Sequence, residues 1–166
     1  CDPPRAGPGR GADVSRREQI RMTPEEVEAY LTVEKDLQVA SINADGSPHL
    51  VTMWFALMEG DICFWTYGKS QKIVNLQRDP RVTVLCADGA DYGELRGVTI
   101  TGRAIVQEDR GPVHEIGEAV FEKYWGPITD DATREGVHAM GAKRFGVRIT
   151  PDKVVSWDHS KLGGGY

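Results

Sequence analysis

Ile62-Cys63-Phe64-Trp65-Thr66-Tyr67-Gly68-Lys69-Ser70-Gln71-Lys72-Ile73-Val74-Asn75-Leu76 contains a change of period that sets the architecture. Up to Thr66 the residues are apolar, aromatic or β-branched, the composition of a strand. From Ser70, Ile73, Leu76 and Gln77 recur on one side of a short helix, which Asp79-Pro80 stops. A turn containing Gly68 joins the two. The start of a helix presents free backbone N–H groups and the positive end of its dipole, a ready anion site. Ser70 adds a hydroxyl and Lys72 an ammonium in the first turn. A cation at that position opposes the dipole by about 0.3–1 kcal/mol when exposed, and a bound phosphate would compensate it. On these residues alone an ordinary capped helix with solvated lysines also stands.

Upstream, Thr23-Pro24-Glu25-Glu26 is a capping box with proline at the first helical position, so a helix runs to about Val33. The 37–42 stretch alternates apolar and polar, and turn residues at 43–47 lead into a second strand over 48–58. Glu59-Gly60-Asp61 turns into the 62–66 strand, giving a three-stranded antiparallel meander. Downstream, 81–87 and 95–107 are strands, with Gly102 a bulge or barrel corner. An amphipathic helix covers 112–125, a loop 126–141, and two last strands 144–149 and 153–157 flank Thr150-Pro151-Asp152. Such a set of mostly antiparallel strands with few helices points to a barrel or sandwich, and about 135 ordered residues favour a small barrel.

Across 166 residues, 40 % are hydrophobic and 27 % charged, the balance of one globular domain. The 1–21 segment, rich in Pro, Gly and Arg, is expected to be a disordered tail, 22–159 the folded domain, and 160–166 a flexible tail. The longest apolar run, 50–58, is strand-sized, so no membrane span is expected. A net charge of −5 without a basic stripe argues against nucleic-acid binding. Three widely spaced cysteines and no secretory leader suggest a reducing cytoplasm. The four histidines do not fall at metal-ligand spacing. Cys63 and Cys86 read as core thiols, Phe64 and Trp65 as barrel filling, Tyr67 as packing rather than a proton donor, and Asp130-Asp131 as a solvated loop.

The pattern Thr66-x-x-x-Ser70-x-Lys72 after an aromatic strand resembles the phosphate-binding segment of the pyridoxamine-phosphate-oxidase-like split barrels. Asp45-Gly46-Ser47-Pro48-His49 followed by Val51-Thr52-Met53-Trp54-Phe55 is similar to the family's second strand. Asn75-Leu76-Gln77-Arg78-Asp79-Pro80-Arg81-Val82 is similar to its helix-to-strand transition, and the likeness covers roughly 23–159. The resemblance implies a mainly β, antiparallel Greek-key split β-barrel. It implies that Thr66, Ser70, Gln71 and Lys72 contact a cofactor phosphate, and that the backbone of Val51, Thr52, Met53 and Trp54 lines a tricyclic ring. It further implies a homodimer with the site at its interface, Arg103 and Trp157 being candidates on the second chain's side.

Met53-Trp54-Phe55 and the 153–157 stretch resemble the branch that uses the deazaflavin coenzyme F420, FMN being the alternative. The end Ser156-Trp157-Asp158-His159 lacks the Arg-x-His of the true pyridoxamine phosphate oxidases, which argues against vitamin B6 oxidation. The expected function is hydride transfer from reduced F420 to a small conjugated or heterocyclic substrate. An FMN enzyme of the same fold and a non-catalytic flavin or deazaflavin binder are the other readings. No residue stands out as an obligatory acid or base, so no catalytic residue is assigned.

Overall fold

Strands β2 (Pro48–Met53) and β3 (Ala56–Met58) form the two edges of one seven-stranded sheet, yet only Trp54 and Phe55 separate them in the chain. The sheet order is β2-β1-β5-β6-β7-β4-β3, with β1 at Leu37–Ile42, β4 at Asp61–Tyr67, β5 at Arg81–Asp88, β6 at Arg96–Gln107 and β7 at Arg144–Asp158. Neighbouring strands stand about 4.8 Å apart, so the edges of a flat seven-stranded sheet would lie roughly 29 Å from each other. The link from Met53 to Ala56 can span at most about 11 Å. The sheet therefore curls until its edges nearly meet, and the result is a mainly β split barrel whose split lies where β2 hands over to β3. Every strand pair is antiparallel. The computed structural model describes residues 15–163.

The barrel interior is filled by inward residues of alternating strands, among them Leu37, Val39, Phe64, Val84, Val98 and Ile149. Helix α2 (Pro24–Val33) adds Tyr30 and Leu31, and α3 (Gln71–Arg78) adds Ile73 and Leu76. The opposite face of β4 carries Cys63 and Trp65 into a second cluster with Val113, Ile116 and Val120 of α4 (Arg110–Trp125) and Val137 of α5 (Asp131–Met140). Trp65 thus packs outside the barrel, because strand alternation sends it to the face opposite Phe64. Both thiols are buried, and burial pushes Cys63 up to about 11 and Cys86 up to about 12.

Several expected boundaries differ. The 48–58 run is two strands on opposite edges, so β2 pairs only with β1 and the expected meander is broken at Trp54. The expected 126–141 loop contains α5, where Asp130 accepts a hydrogen bond from the Thr133 N–H at 2.7 Å and caps the helix instead of merely facing water. The two last strands are one, β7, which passes through Pro151 by a register shift opposite Thr101 and Gly102. A one-turn helix α1 (Arg16–Gln19) with a Ser15–Glu18 capping box lies within the expected N-terminal tail. A short 3-10 helix at His159–Leu162 reaches into the expected C-terminal one, with Lys161 bonded to Glu26. Residues 1–14 and 164–166 of those two tails lie outside the described residues.

Lys123 of α4 shows how tightly the second layer is docked. Its Nζ lies 3.4 Å from the centre of the Phe55 ring and donates to the Leu31 carbonyl at 2.9 Å. Burial lowers its pKa to about 8. Between that value and roughly 10.4, where a solvated lysine titrates, the unfolded chain holds a proton that the native state lacks, so native stability gains as pH rises through this window. After discounting for solvent screening we expect wild type to gain about 1–2 kcal/mol relative to Lys123→Met between pH 7 and 10.5. Urea unfolding of both proteins at the two pH values measures this, and a pH-independent difference would contradict it.

Candidate functional site

The 67–70 turn is held flat against β7. The Gly68 N–H donates to the Lys143 carbonyl at 3.0 Å, and a Cβ on Gly68 would stand 3.0 Å from the Phe145 ring. A larger residue there would need the Phe145 ring to give by a few tenths of an ångström. The Ser70 N–H donates to the Tyr67 carbonyl at 2.9 Å, which aims the start of α3 back at the end of β4. Asn75, fully buried, fixes the helix from behind, donating to Ser41 Oγ at 3.1 Å and Asn43 Oδ1 at 3.0 Å.

Ser70 occupies the N-cap position but makes no side-chain cap bond, and its Oγ is buried without a partner among the described residues. A buried hydroxyl left unpaired costs about 1–3 kcal/mol, so a hydrogen bond from an outside group would be favourable at this atom. Lys72 donates from Nζ to Thr66 Oγ1 at 3.2 Å, and Thr66 is itself 7 % exposed. Burial alone lowers the lysine pKa, with no compensating carboxylate. A partly desolvated ammonium, an unpaired hydroxyl and the first-turn N–H groups of Gln71 and Lys72 together suit a phosphate. The Gln71 side chain donates to Asn75 Oδ1 at 2.9 Å.

The expected ring-lining segment lies along the split. β2 pairs with β1 alone, so every second backbone N–H and C=O on its other edge is left for a ligand. Val51 and Met53 pack inward against the core, and Thr52 is exposed. Trp54 is 47 % exposed, yet it is fixed by stacking on Tyr124 at 4.4 Å and by an edge contact with Trp125 at 5.0 Å. Arg103 and Trp157 lie on the outer face of the barrel, with Trp157 seated over Gly97, where a Cβ would collide with the indole.

Two groups not singled out from the sequence come to the split. His49, inward on β2 and opposite Ser41, has a buried Nδ1 without a partner among the described residues. Arg144, at the start of β7 and opposite Tyr67, has a buried Nε without a partner among the described residues and lies over the rings of Trp65 at 4.6 Å and Tyr67 at 5.3 Å. Tyr67 is 60 % exposed instead of packed away. Met53, Trp54, Trp65 and Arg144 share a cavity of about 190 Å3. Larger hollows of about 630 and 660 Å3 lie elsewhere and include none of these groups nor any unpaired buried polar atom. Chemistry here outweighs size. Among the described residues no group of His, Cys, Asp or Glu could hold a metal ion, and no helix is long and apolar enough to cross a membrane.

The chain is 42 % identical to a conserved hypothetical protein of Mycobacterium tuberculosis of known structure, with a TM-score of 0.87 over 92 % of this chain and 94 % of that one. It is similar in fold to an F420 reductase, at 23 % identity and a TM-score of 0.60 over 80 % of this chain and 98 % of the other. A third similar structure is a putative pyridoxamine 5'-phosphate oxidase from Listeria innocua, at 21 % identity and a TM-score of 0.60 over 80 % and 96 %. At such identities the last two speak to fold alone. No curated protein matches the chain. Residues 17–158, which span the whole barrel, its split and the turn with the unpaired serine, match the pyridoxamine 5'-phosphate oxidase family, and the chain belongs to that family.

Proposed function

We propose that the protein is an oxidoreductase that holds reduced coenzyme F420 along the split of its barrel and reduces a small conjugated or heterocyclic substrate there. The buried, unpaired Ser70 Oγ in the same turn as the Lys72–Thr66 contact carries this reading. Thr66, Ser70, Lys72 and the Gln71 backbone would hold the phosphate, and the free edge at 51–54 would face the ring. When bound, the reduced deazaflavin supplies a hydride, as cofactors supply the hard step in such enzymes. The chain's own work is to bind, to orient and to exclude water. Trp54, immobilised on Tyr124, gives the split a rigid apolar wall. Support for F420 over FMN comes from the Met53-Trp54-Phe55 likeness.

In this reading the protein works as a homodimer in the cytoplasm. The exposed Leu50 and Trp54 on and after β2 give a second copy an apolar surface beside the split. Fluorescence titration of the purified protein with F420 and, separately, with FMN tests the cofactor. Saturable binding of F420 in preference to FMN is the expected result. Preference for FMN transfers the proposal to that cofactor, and binding of neither removes it. Oxidation of reduced F420 on addition of a conjugated acceptor then separates an enzyme from a carrier.

A further inference from the structure

The cavity of about 190 Å3 behind Trp54 is well below the roughly 300 Å3 of pockets for drug-sized ligands, so it cannot enclose a tricyclic cofactor. It can take a body of one or two rings. Its walls are aromatic and soft, with Trp54, Trp65, Phe121, Trp125 and Met140 around one cation, Arg144. Trp125 is positioned by Phe121 at 5.1 Å and by the edge of Trp54, and Trp54 by Tyr124, whose hydroxyl is itself fixed between the Lys35 carbonyl and the Phe55 N–H. These rings are held in place before any ligand arrives, which lowers the ordering cost of binding a flat molecule.

Arg144 gives the pocket its chemical preference. Among the described residues no carboxylate pairs with its guanidinium and no atom accepts a hydrogen bond from it, although its Nε is buried. Its central carbon lies 4.6 Å from the centre of the Trp65 ring and 5.3 Å from that of Tyr67, so the charge is set among aromatic groups. A guanidinium presents a planar fork of N–H groups, the geometry that matches a carboxylate. The charged groups nearest along the chain are cationic as well: Lys143 precedes it, and Arg110 of α4 donates to the carbonyls of Gly141 and Arg144 at 2.7 and 3.1 Å.

We propose that this cavity is the substrate subsite and that it selects a planar one- or two-ring molecule bearing a carboxylate, its rings among Trp54, Trp125 and Met140 and its carboxylate on Arg144. The word substrate rests on the reading of the split as a cofactor site; the binding preference does not. Calorimetric titration with 2-naphthoate and its neutral amide, each with and without F420, tests both. The acid should bind about tenfold more tightly than the amide. Arg144→Gln should abolish that preference, and Trp125→Ala should weaken both probes. Equal affinity for acid and amide in the wild-type protein, or no binding of either, overturns the subsite whether or not F420 binds. Binding of the acid by a protein that ignores F420 leaves the subsite standing and removes the cofactor reading instead.

Discussion

Lys72→Ala is expected to weaken F420 binding by about 1.5–3 kcal/mol, roughly 10- to 150-fold, with the melting temperature nearly unchanged. The separation of the two effects follows from the geometry. Lys72 has one internal partner, Thr66 Oγ1 at 3.2 Å, and its ammonium is disfavoured by burial with no carboxylate to offset it. The folded chain therefore gains little from that charge, whereas a phosphate in the turn would gain a charge-assisted hydrogen bond. Ser70→Ala provides a companion with a distinct signature. Removing an unpaired buried hydroxyl should leave the unliganded protein as stable or slightly more so, yet weaken binding, because the atom is satisfied only in the complex. Titration and thermal melts on the same samples read both quantities. An unchanged affinity in Lys72→Ala would falsify the phosphate assignment.

The legible part of this site is the part built from consecutive residues. Thr66, Ser70 and Lys72 stand out because one strand, one turn and one helix start bring them together, and each step has a local sequence signal. His49 sits on β2 beside the segment already read as lining the ring, whereas Arg144 reaches the split from a strand far away in the chain. The period of two marks His49 as inward-facing, which in a strand reads as packing, and nothing local tells a buried imidazole with a free nitrogen from a satisfied one. Arg144 reads as a surface charge at the start of a strand until the β4–β7 register sets it opposite Tyr67. The Gln71 side chain turns along the helix because Asn75 offers an oxygen one turn on.

The strands themselves follow from alternation, and the errors fall where tertiary closure overrides it. An apolar run over 48–58 satisfies strand propensity throughout, and only the need to join two sheet edges places the break at Trp54 and Phe55. Helix α5 buries Val137 alone and is a short, mostly polar helix following a proline- and aspartate-containing stretch. Its Asp130–Thr133 cap was the available signal. Thr150-Pro151 carries turn chemistry, yet the chain continues as a strand because β6 offers a glycine opposite.

That glycine carries the second prediction: Gly102→Ala should cost about 3 kcal/mol, at the upper end of what overpacking does in a close-packed interior. A Cβ built on Gly102 would lie 2.2 Å from the Thr150 carbonyl oxygen and 3.1 Å from the Pro151 Cα. Both are backbone atoms, so no side-chain rotation relieves the clash. The β6–β7 ladder must part at its register shift, where the longest strand pair of the barrel bends. Proline cannot donate to a ladder and is tolerated inside a sheet at such an irregularity, so moving the two strands apart removes the arrangement that accommodates Pro151. Gly136→Ala supplies the contrast. The same added methyl meets nothing within 4 Å in α5, where alanine is favoured over glycine in a helix by about 0.8–1.0 kcal/mol, so stability should rise. For a domain of this size the two variants should melt about 6–12 °C below and 2–4 °C above the wild type. Opposite signs from one chemical change would tie the loss at Gly102 to the strand contact, and a Gly102→Ala protein that melts with the wild type would show that β7 crosses Pro151 without needing the glycine.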